Sequence, residues 1–113
     1  MDSQLEFLDE VTKFVDEFKQ ELPEAFAAQK TFDNTVYKDG VLSSKVKRLM
    51  ALVVAVRAGC PGCITYQTKL AVEAGATKAE VVEAVSVAMS MGGTTANAWV
   101  WIVVKMMQEL GNW

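Results

Sequence analysis

The sequence predicts an all-α fold, a bundle of about six helices that assembles as an oligomer. Apolar residues recur at helical spacing through most of the chain, and Ser, Thr, Pro and Gly residues stand where helices of ordinary length would begin and end. No segment carries a pattern that we would assign to a strand. The 113 residues suit a single domain over residues 1–113, and no linker, repeat or low-complexity segment divides them.

The N-terminal third is predicted to form two helices. Residues 3–22 carry apolar side chains every three or four positions, with charged side chains largely opposite, which is the pattern of an amphipathic helix. Pro23 suits the first turn of a second helix, because its missing N–H costs nothing there and its φ is already helical. From residue 31 to residue 40 the pattern loosens. In this stretch we expect three buried side chains: Phe32, Val36 and Tyr37.

The middle of the chain is predicted to supply the centre of the bundle. Ser43 or Ser44 can cap a third helix, and Gly59 ends it. After its first turn this helix is apolar on nearly every face, as expected for a central buried helix. A fourth helix ends at Gly75, which is well placed for a C-cap.

Two further helices are predicted in the C-terminal third. Thr77 and Glu80 have the spacing of a capping box at the start of the fifth helix, and Gly92-Gly93 is expected to break or bend the chain. The last helix, about residues 95–110, is apolar on most sides, and 51% of the whole chain is hydrophobic. A small domain has little with which to cover such a terminal helix, so we expect a subunit interface there. The alternative is that this helix is central to the core.

The two cysteines of the chain lie in the segment that is most capable of a chemical reaction, Cys60-Pro61-Gly62-Cys63. Pro61 suits the first turn of a helix, which makes Cys60 a plausible N-cap beside the unpaired N–H groups and the positive end of the helix dipole. Such a position favours the thiolate, which is the nucleophile. Cys63 lies about one turn further on, close enough for a disulfide. We expect the first sulfur to be accessible and the second to be more buried.

Three other interpretations of this pair compete with reversible redox chemistry. A structural disulfide across so short a loop would remove little entropy from the unfolded chain. A zinc site needs four ligands, and the chain has no histidine and no third cysteine, so that a metal site would require the pairs of several subunits. The cysteines could also be inert. Reversible redox chemistry is favoured over all three, and we expect no metal and no cofactor.

The charge and the apolar pattern of the chain indicate which partners it binds and in which compartment it acts. The formal net charge is −3 and no run of basic residues occurs, which argues against binding to nucleic acid or to an anionic membrane. The N-terminal segment is acidic and amphipathic, unlike a secretory signal. No apolar run reaches ~18 residues, so no membrane span is expected. Together with the CxxC spacing, these features predict a cytoplasmic redox protein.

Four segments in a fixed order carry a resemblance to a known superfamily. They are Val-Tyr-Lys-Asp-Gly-Val-Leu at 36–42, the helix start at 45–52, Cys-Pro-Gly-Cys-Ile-Thr-Tyr at 60–66, and Ala-Gly-Ala-Thr at 74–77. With them, residues 36–93 resemble the AhpD-like superfamily, which contains carboxymuconolactone decarboxylases and the alkylhydroperoxidase AhpD. The resemblance implies an all-helical fold that assembles as trimers or hexamers. It also implies a CxxC pair that reduces hydroperoxides or disulfides with electrons from a thiol or lipoyl-type donor.

The same resemblance implies roles for individual residues, and two of them are altered here. It makes Cys63 the attacking thiolate and Cys60 the resolving one, whereas the helix-end argument alone favours Cys60, so the order stays open. The superfamily's redox motif has a glutamate twelve residues before the first cysteine and a histidine four residues after the second. This chain has Arg48 and Gln67 at those positions, and neither can act as a base.

Two consequences of this change are open. Arg48 could lower a cysteine pKa electrostatically if its guanidinium faces the sulfurs, and Arg57, one turn before Cys60, could do the same. Alternatively, Arg48 is a solvent-facing charge and Gln67 a polar filler. Tyr66 is a further possible site residue, because it belongs to the motif that carries the resemblance.

These observations favour a small oligomeric thiol–disulfide oxidoreductase, or weak alkylhydroperoxidase, that uses Cys60 and Cys63. The decarboxylase branch fits worse, because it lacks the CxxC and relies on histidine, which this chain lacks. The alternative function is a non-catalytic oligomeric binding or scaffolding module that keeps a vestigial cysteine pair.

Overall fold

The computed structural model describes residues 3–113, and these form six α-helices and no strand. Residues 1 and 2, which belong to the segment for which we expect no secretory signal, lie outside the described residues. The helices are α1 (Gln4–Lys19), α2 (Pro23–Tyr37), α3 (Ser44–Ala58), α4 (Pro61–Glu73), α5 (Lys78–Asn97) and α6 (Val100–Glu109). The predicted all-α fold is confirmed.

The helix ends follow local sequence signals closely. Ser43 caps α3 by accepting a hydrogen bond from the N–H of Val46 at 3.2 Å. Thr77 and Glu80 form the predicted capping box, each accepting a hydrogen bond from the backbone N–H of the other. Gly75 follows the end of α4 with φ of 95°, a conformation that glycine adopts without strain.

The core lies between α3, α4, α5 and α6. Helix α3 packs against α4 and α5, and α6 packs against α4, so that α3 is central as predicted. Its Leu52, Ala55 and Val56 are buried. The outer side of α3 is nevertheless open, since Val54 is 67% exposed.

The C-terminal helix belongs to this core, as the alternative interpretation holds, and the subunit interface expected there stays a prediction. Four apolar side chains of α6 are buried within the chain itself: Ile102, Val103, Met106 and Met107. Helix α6 also begins later than predicted. The chain bends at Gly93, with φ of 59° and ψ of −141°, and helical structure then continues to Asn97 before the turn that leads into α6.

Helix α2 departs most from the sequence prediction. It continues to Tyr37 instead of loosening after residue 30, and none of its side chains is fully buried. Phe32 is 67% exposed and Val36 is 40% exposed, while Tyr37 is half-buried. The prediction that Phe32 and Val36 are buried is therefore wrong for the single chain. Helix α2 extends away from the bundle and contacts it mainly through α3.

Helix α1 is held to the bundle by a carboxylate from the opposite end of the chain. Glu109 accepts hydrogen bonds from Ser3 Oγ at 2.5 Å and from the N–H groups of Gln4 and Leu5 at 2.8 and 3.2 Å. Partial burial would raise the pKa of Glu109, but these hydrogen bonds outweigh it and hold the pKa below its usual value. The last turn of α6 thereby caps the first turn of α1.

Between residues 3 and 113, no single helix is long and apolar enough to cross a membrane. Among the described residues, α5 and α6 taken together meet that criterion of length and composition, and they are bent by 104° at their junction.

Candidate active site at the cysteine pair

The turn between α3 and α4 positions the first cysteine. Gly59 has φ of 68°, and its N–H donates to the carbonyl oxygen of Val56 at 3.1 Å. The N–H of Cys60 donates to the carbonyl oxygen of Ala55 at 3.3 Å. These two bonds form a Schellman ending of α3. Cys60 therefore completes one helix and begins the next.

Cys60 is the N-cap of α4, as the sequence predicts. Its Sγ accepts a hydrogen bond from the N–H of Cys63 at 3.2 Å, and Pro61 is the first residue of the helix. A thiolate at Cys60 would be stabilised by this N–H group and by the positive end of the helix dipole.

The two cysteines are joined by a disulfide, with their Cα atoms 5.2 Å apart. Cys63 is exposed and Cys60 is half-buried, so the predicted order of accessibility is wrong. The reason is the capping role: the Cys60 side chain folds back over the helix end, whereas Cys63 lies on the outer side of the first turn. An incoming reagent therefore meets Cys63 first.

The structure brings the two altered relay positions together, although they are 19 residues apart in sequence. Arg48 Nη1 donates to Gln67 Oε1 at 3.4 Å. The guanidinium carbon of Arg48 lies 3.6 Å from the centre of the Tyr37 ring, in the stacked position of a cation–π pair. Arg48 is thus held by contacts on both sides and is not a free solvent-facing charge. Its guanidinium contacts Gln67 and Tyr37 rather than a sulfur atom.

This cluster lines an open cleft of about 650 Å³ between α1, α2, α3 and α4. Tyr66 and Gln67 form its α4 wall. They follow Cys63 by three and four residues, which places them on the same side of α4 as the exposed sulfur. The sequence resemblance predicted Tyr66 only as part of a motif. It gave no sign that Tyr37 would meet Arg48, because that contact joins α2 to α3.

Arg57 is not part of this cluster. Its side chain crosses Gly92 of α5, where a Cβ would lie 2.7 Å from Arg57 Cδ. Within residues 3–113, no three His, Cys, Asp or Glu side chains converge in a way that could hold a metal ion. The candidate site therefore has two parts: the disulfide at the start of α4, and the cluster of Arg48, Gln67 and the two tyrosines, which lines a cleft that neither cysteine lines.

Residues 23–106 match the model of the carboxymuconolactone decarboxylase family. An uncharacterized protein of Cupriavidus necator is 30% identical over 86 residues, which are 76% of each chain. An uncharacterized protein encoded in the cox locus of Paracoccus denitrificans is 33% identical over 89 residues, or 79% of this chain and 78% of the relative.

Two crystal structures show the same arrangement of helices. A carboxymuconolactone decarboxylase family protein from Legionella pneumophila, in its apo form, is 28% identical with a TM-score of 0.89, over 94% of this chain and 95% of the other. A second one, from Thermotoga maritima, is 28% identical with a TM-score of 0.81, over 92% and 89%. For the Thermotoga protein, a role in the antioxidative response has been suggested.

Proposed function

This chain belongs to the carboxymuconolactone decarboxylase family, and we propose that it acts as a thiol–disulfide oxidoreductase through Cys60 and Cys63. The observation that supports the proposal best is the asymmetry of the pair. Cys63 is an exposed residue, whereas the Sγ atom of Cys60 accepts a backbone hydrogen bond at a helix N-terminus. This arrangement separates the sulfur that exchanges with a partner from the sulfur that leaves as a stabilised thiolate. The suggested antioxidative role of the Thermotoga relative is consistent with it.

Reduction of the pair begins at the exposed sulfur. A thiolate of a dithiol donor attacks Cys63 Sγ, a donor–Cys63 bond forms, and the Cys60–Cys63 bond breaks with its electron pair on Cys60. The second donor thiolate then attacks the donor sulfur of the mixed disulfide and releases Cys63 as a thiolate. Two electrons pass to the protein, the donor becomes a disulfide, and its two protons pass to the cysteines or to solvent.

The reduced pair can pass its electrons to a disulfide or to a hydroperoxide. With a hydroperoxide, the Cys63 thiolate attacks the terminal oxygen, the O–O bond breaks, and the alkoxide takes a proton and leaves as an alcohol. Cys60 then attacks the resulting sulfenic acid, reforms the disulfide and releases hydroxide, which solvent protonates. Since Arg48 and Gln67 supply no base for these proton transfers, we expect peroxidase activity to be weak compared with disulfide exchange.

Variants of the two cysteines test the proposal. Cys63→Ser should abolish turnover with a dithiol donor. In Cys60→Ser, the Cys63 thiolate should attack oxidised glutathione, release one glutathione thiolate and keep the other half as a mixed disulfide, because no second cysteine resolves it. Mass spectrometry should then show the mass of the protein plus one glutathione less two hydrogens. Far-UV circular dichroism shows whether each variant keeps its helices. If Cys63→Ser retains the function of the native protein, the pair is vestigial and the chain acts as a non-catalytic binding or scaffolding module.

We also propose that the chain forms a homo-oligomer through the outer side of α2. Phe32 and Val36 lie on this side, together with Ala25 and Ala28, and they are exposed in the single chain. Apolar side chains spaced in this way on an unburied helix are typical of an interface. Phe32→Glu should lower the mass measured by light scattering, while Asn34→Asp, which also adds a negative charge to α2 but on the side that lines the cleft, should not. An unchanged mass for Phe32→Glu would exclude this surface.

A further inference from the structure

We propose that Arg48 binds a carboxylate, so that the thiol or disulfide that reacts with Cys63 is an organic acid. The inference rests on the proposed redox function and adds the chemical class of the substrate. Arg48 would then determine substrate specificity, although it occupies the position of the glutamate in the superfamily's proton relay.

The first argument is the way in which Arg48 is held. Tyr37 stacks on its guanidinium at 3.6 Å, and Gln67 Oε1 accepts one of its N–H groups at 3.4 Å. A guanidinium has five N–H donors in a planar fork that matches a carboxylate. The contacts to Tyr37 and Gln67 fix the plane of this fork before a ligand arrives.

The second argument is that no acidic residue of the described chain neutralises Arg48. The structure shows ion pairs Lys45–Glu80 and Lys69–Glu73, and neither of them involves Arg48. A half-buried arginine that is held by an amide and an aromatic ring, in a chain of net charge −3, keeps its charge available for an anion from outside.

The third argument is the charge and size of the cleft. Besides Arg48, its lining includes two cations, Lys19 and Lys30, and two anions, Asp16 and Asp33. The side chains that line the cleft therefore carry a net charge of +1. This charge suits a single carboxylate better than a phosphate, which carries more negative charge. The volume of about 650 Å³ lies within the range of small-molecule sites.

The fourth argument is the spacing of Cys63 and Gln67 along α4, since Gln67 lines the cleft and Cys63 lies outside it. Gln67, the partner of Arg48, follows Cys63 by one helical turn, which is a rise of about 5–6 Å. A ligand that spans Arg48 and Cys63 therefore needs its carboxylate roughly 6–10 Å from its sulfur, allowing for the reach of the side chains. Short-chain carboxylic acids that end in a thiol, dithiol or cyclic disulfide meet this requirement.

Dihydrolipoate and dihydrolipoamide test the inference, because they differ only in a carboxylate and a neutral amide. For each compound, reduction of the Cys60–Cys63 disulfide is followed in a single turnover, and the second-order rate constant at low donor concentration is taken as kcat/KM. We expect Arg48→Gln to lower kcat/KM for the acid by about ten- to a hundredfold, as is usual when a hydrogen bond to a charged group is lost. For the amide we expect a change of less than about threefold. Lys69→Gln removes the same charge from α4 outside the cleft and should alter neither value.

A second variant and an unreactive ligand keep the test sharp if Arg48→Gln folds poorly. Arg48→Lys keeps the charge and loses the fork, so it should retain part of the preference for the acid. Octanoate, which has no sulfur, should inhibit reduction by dihydrolipoate competitively in the native protein and should lose this effect in the Arg48 variants.

The possible outcomes separate the two proposals. Equal losses for the acid and the amide in Arg48→Gln would show that Arg48 acts on the cysteines, which would overturn the inference and leave the redox function standing. An unchanged preference for the acid in Arg48→Gln would overturn it as well. Failure of the native protein to accept electrons from either compound would refute the proposed function, and the inference with it.

Discussion

Replacement of Gly59 by alanine probes the turn that places Cys60 at the start of α4. Gly59 has φ of 68°, and a Cβ at this position would lie 2.7 Å from Trp99 Nε1. The positive φ alone costs about 1–2 kcal/mol for a residue with a Cβ. The overlap with Trp99, a partly buried ring packed against the core, adds about 1–3 kcal/mol. We therefore expect Gly59→Ala to lower the free energy of unfolding by roughly 2–5 kcal/mol.

Gly111→Ala is the matched control, because it shares the backbone conformation without the overlap. Gly111 has φ of 77°, and a Cβ there would meet no atom within 4 Å. Its replacement should cost about 1–2 kcal/mol. Urea unfolding followed by circular dichroism gives both values under one set of conditions. If Gly59→Ala costs no more than Gly111→Ala, the contact with Trp99 does not constrain the turn. If Gly59→Ala costs nothing at all, our account of how the turn positions Cys60 is wrong.

Three further predictions concern other parts of the molecule. The double variant Arg48→Glu with Gln67→His should raise the rate of hydroperoxide reduction, measured by peroxide consumption; no gain in a folded protein would show that the site has been rebuilt for other chemistry. Hydrogen bonds from Lys45 and from the backbone of Thr77 lower the pKa of Glu80 to about 2. The ionised Glu80 carboxylate therefore stabilises the fold fully above about pH 4.5, and this stabilisation is lost as the pH falls toward 2. Between these pH values, the urea midpoint should fall less in Glu80→Gln than in the native protein. Glu109→Gln should lower the free energy of unfolding by about 1 kcal/mol through loss of the charged cap of α1, and an unchanged urea midpoint would show that this cap is not stabilising.

The parts of the structure that the sequence predicts correctly depend on neighbouring residues. The caps at Ser43 and Thr77, the helix end at Gly75 and the role of Cys60 each involve groups within about four residues of one another. A sequence pattern can specify such features because the same atoms meet in any protein that contains the segment. The resemblance carried by residues 36–93 extended this local information to the family.

The parts that the sequence did not predict depend on contacts between distant segments. Glu109 caps a helix more than 100 residues away in the chain, and the stacking of Tyr37 on Arg48 requires the known course of α2. The exposure of Cys63 relative to Cys60 depends on the direction of each side chain at the helix start, which the CxxC spacing alone leaves open. The apolar side chain of Phe32 predicted burial. Apolar character alone, however, does not distinguish burial within the same chain from burial against another protein chain.

The reduction potential of the Cys60–Cys63 pair tests the central claim most directly. The protein is equilibrated in graded mixtures of reduced and oxidised dithiothreitol or glutathione, alkylated, and analysed by mass spectrometry, with Cys60→Ser as the control that cannot form the intramolecular bond. Our account predicts a reversible transition within one chain, at a potential between about −330 and −180 mV, where working redox proteins lie. A pair that never bridges reversibly, or that bridges only between subunits, would contradict it.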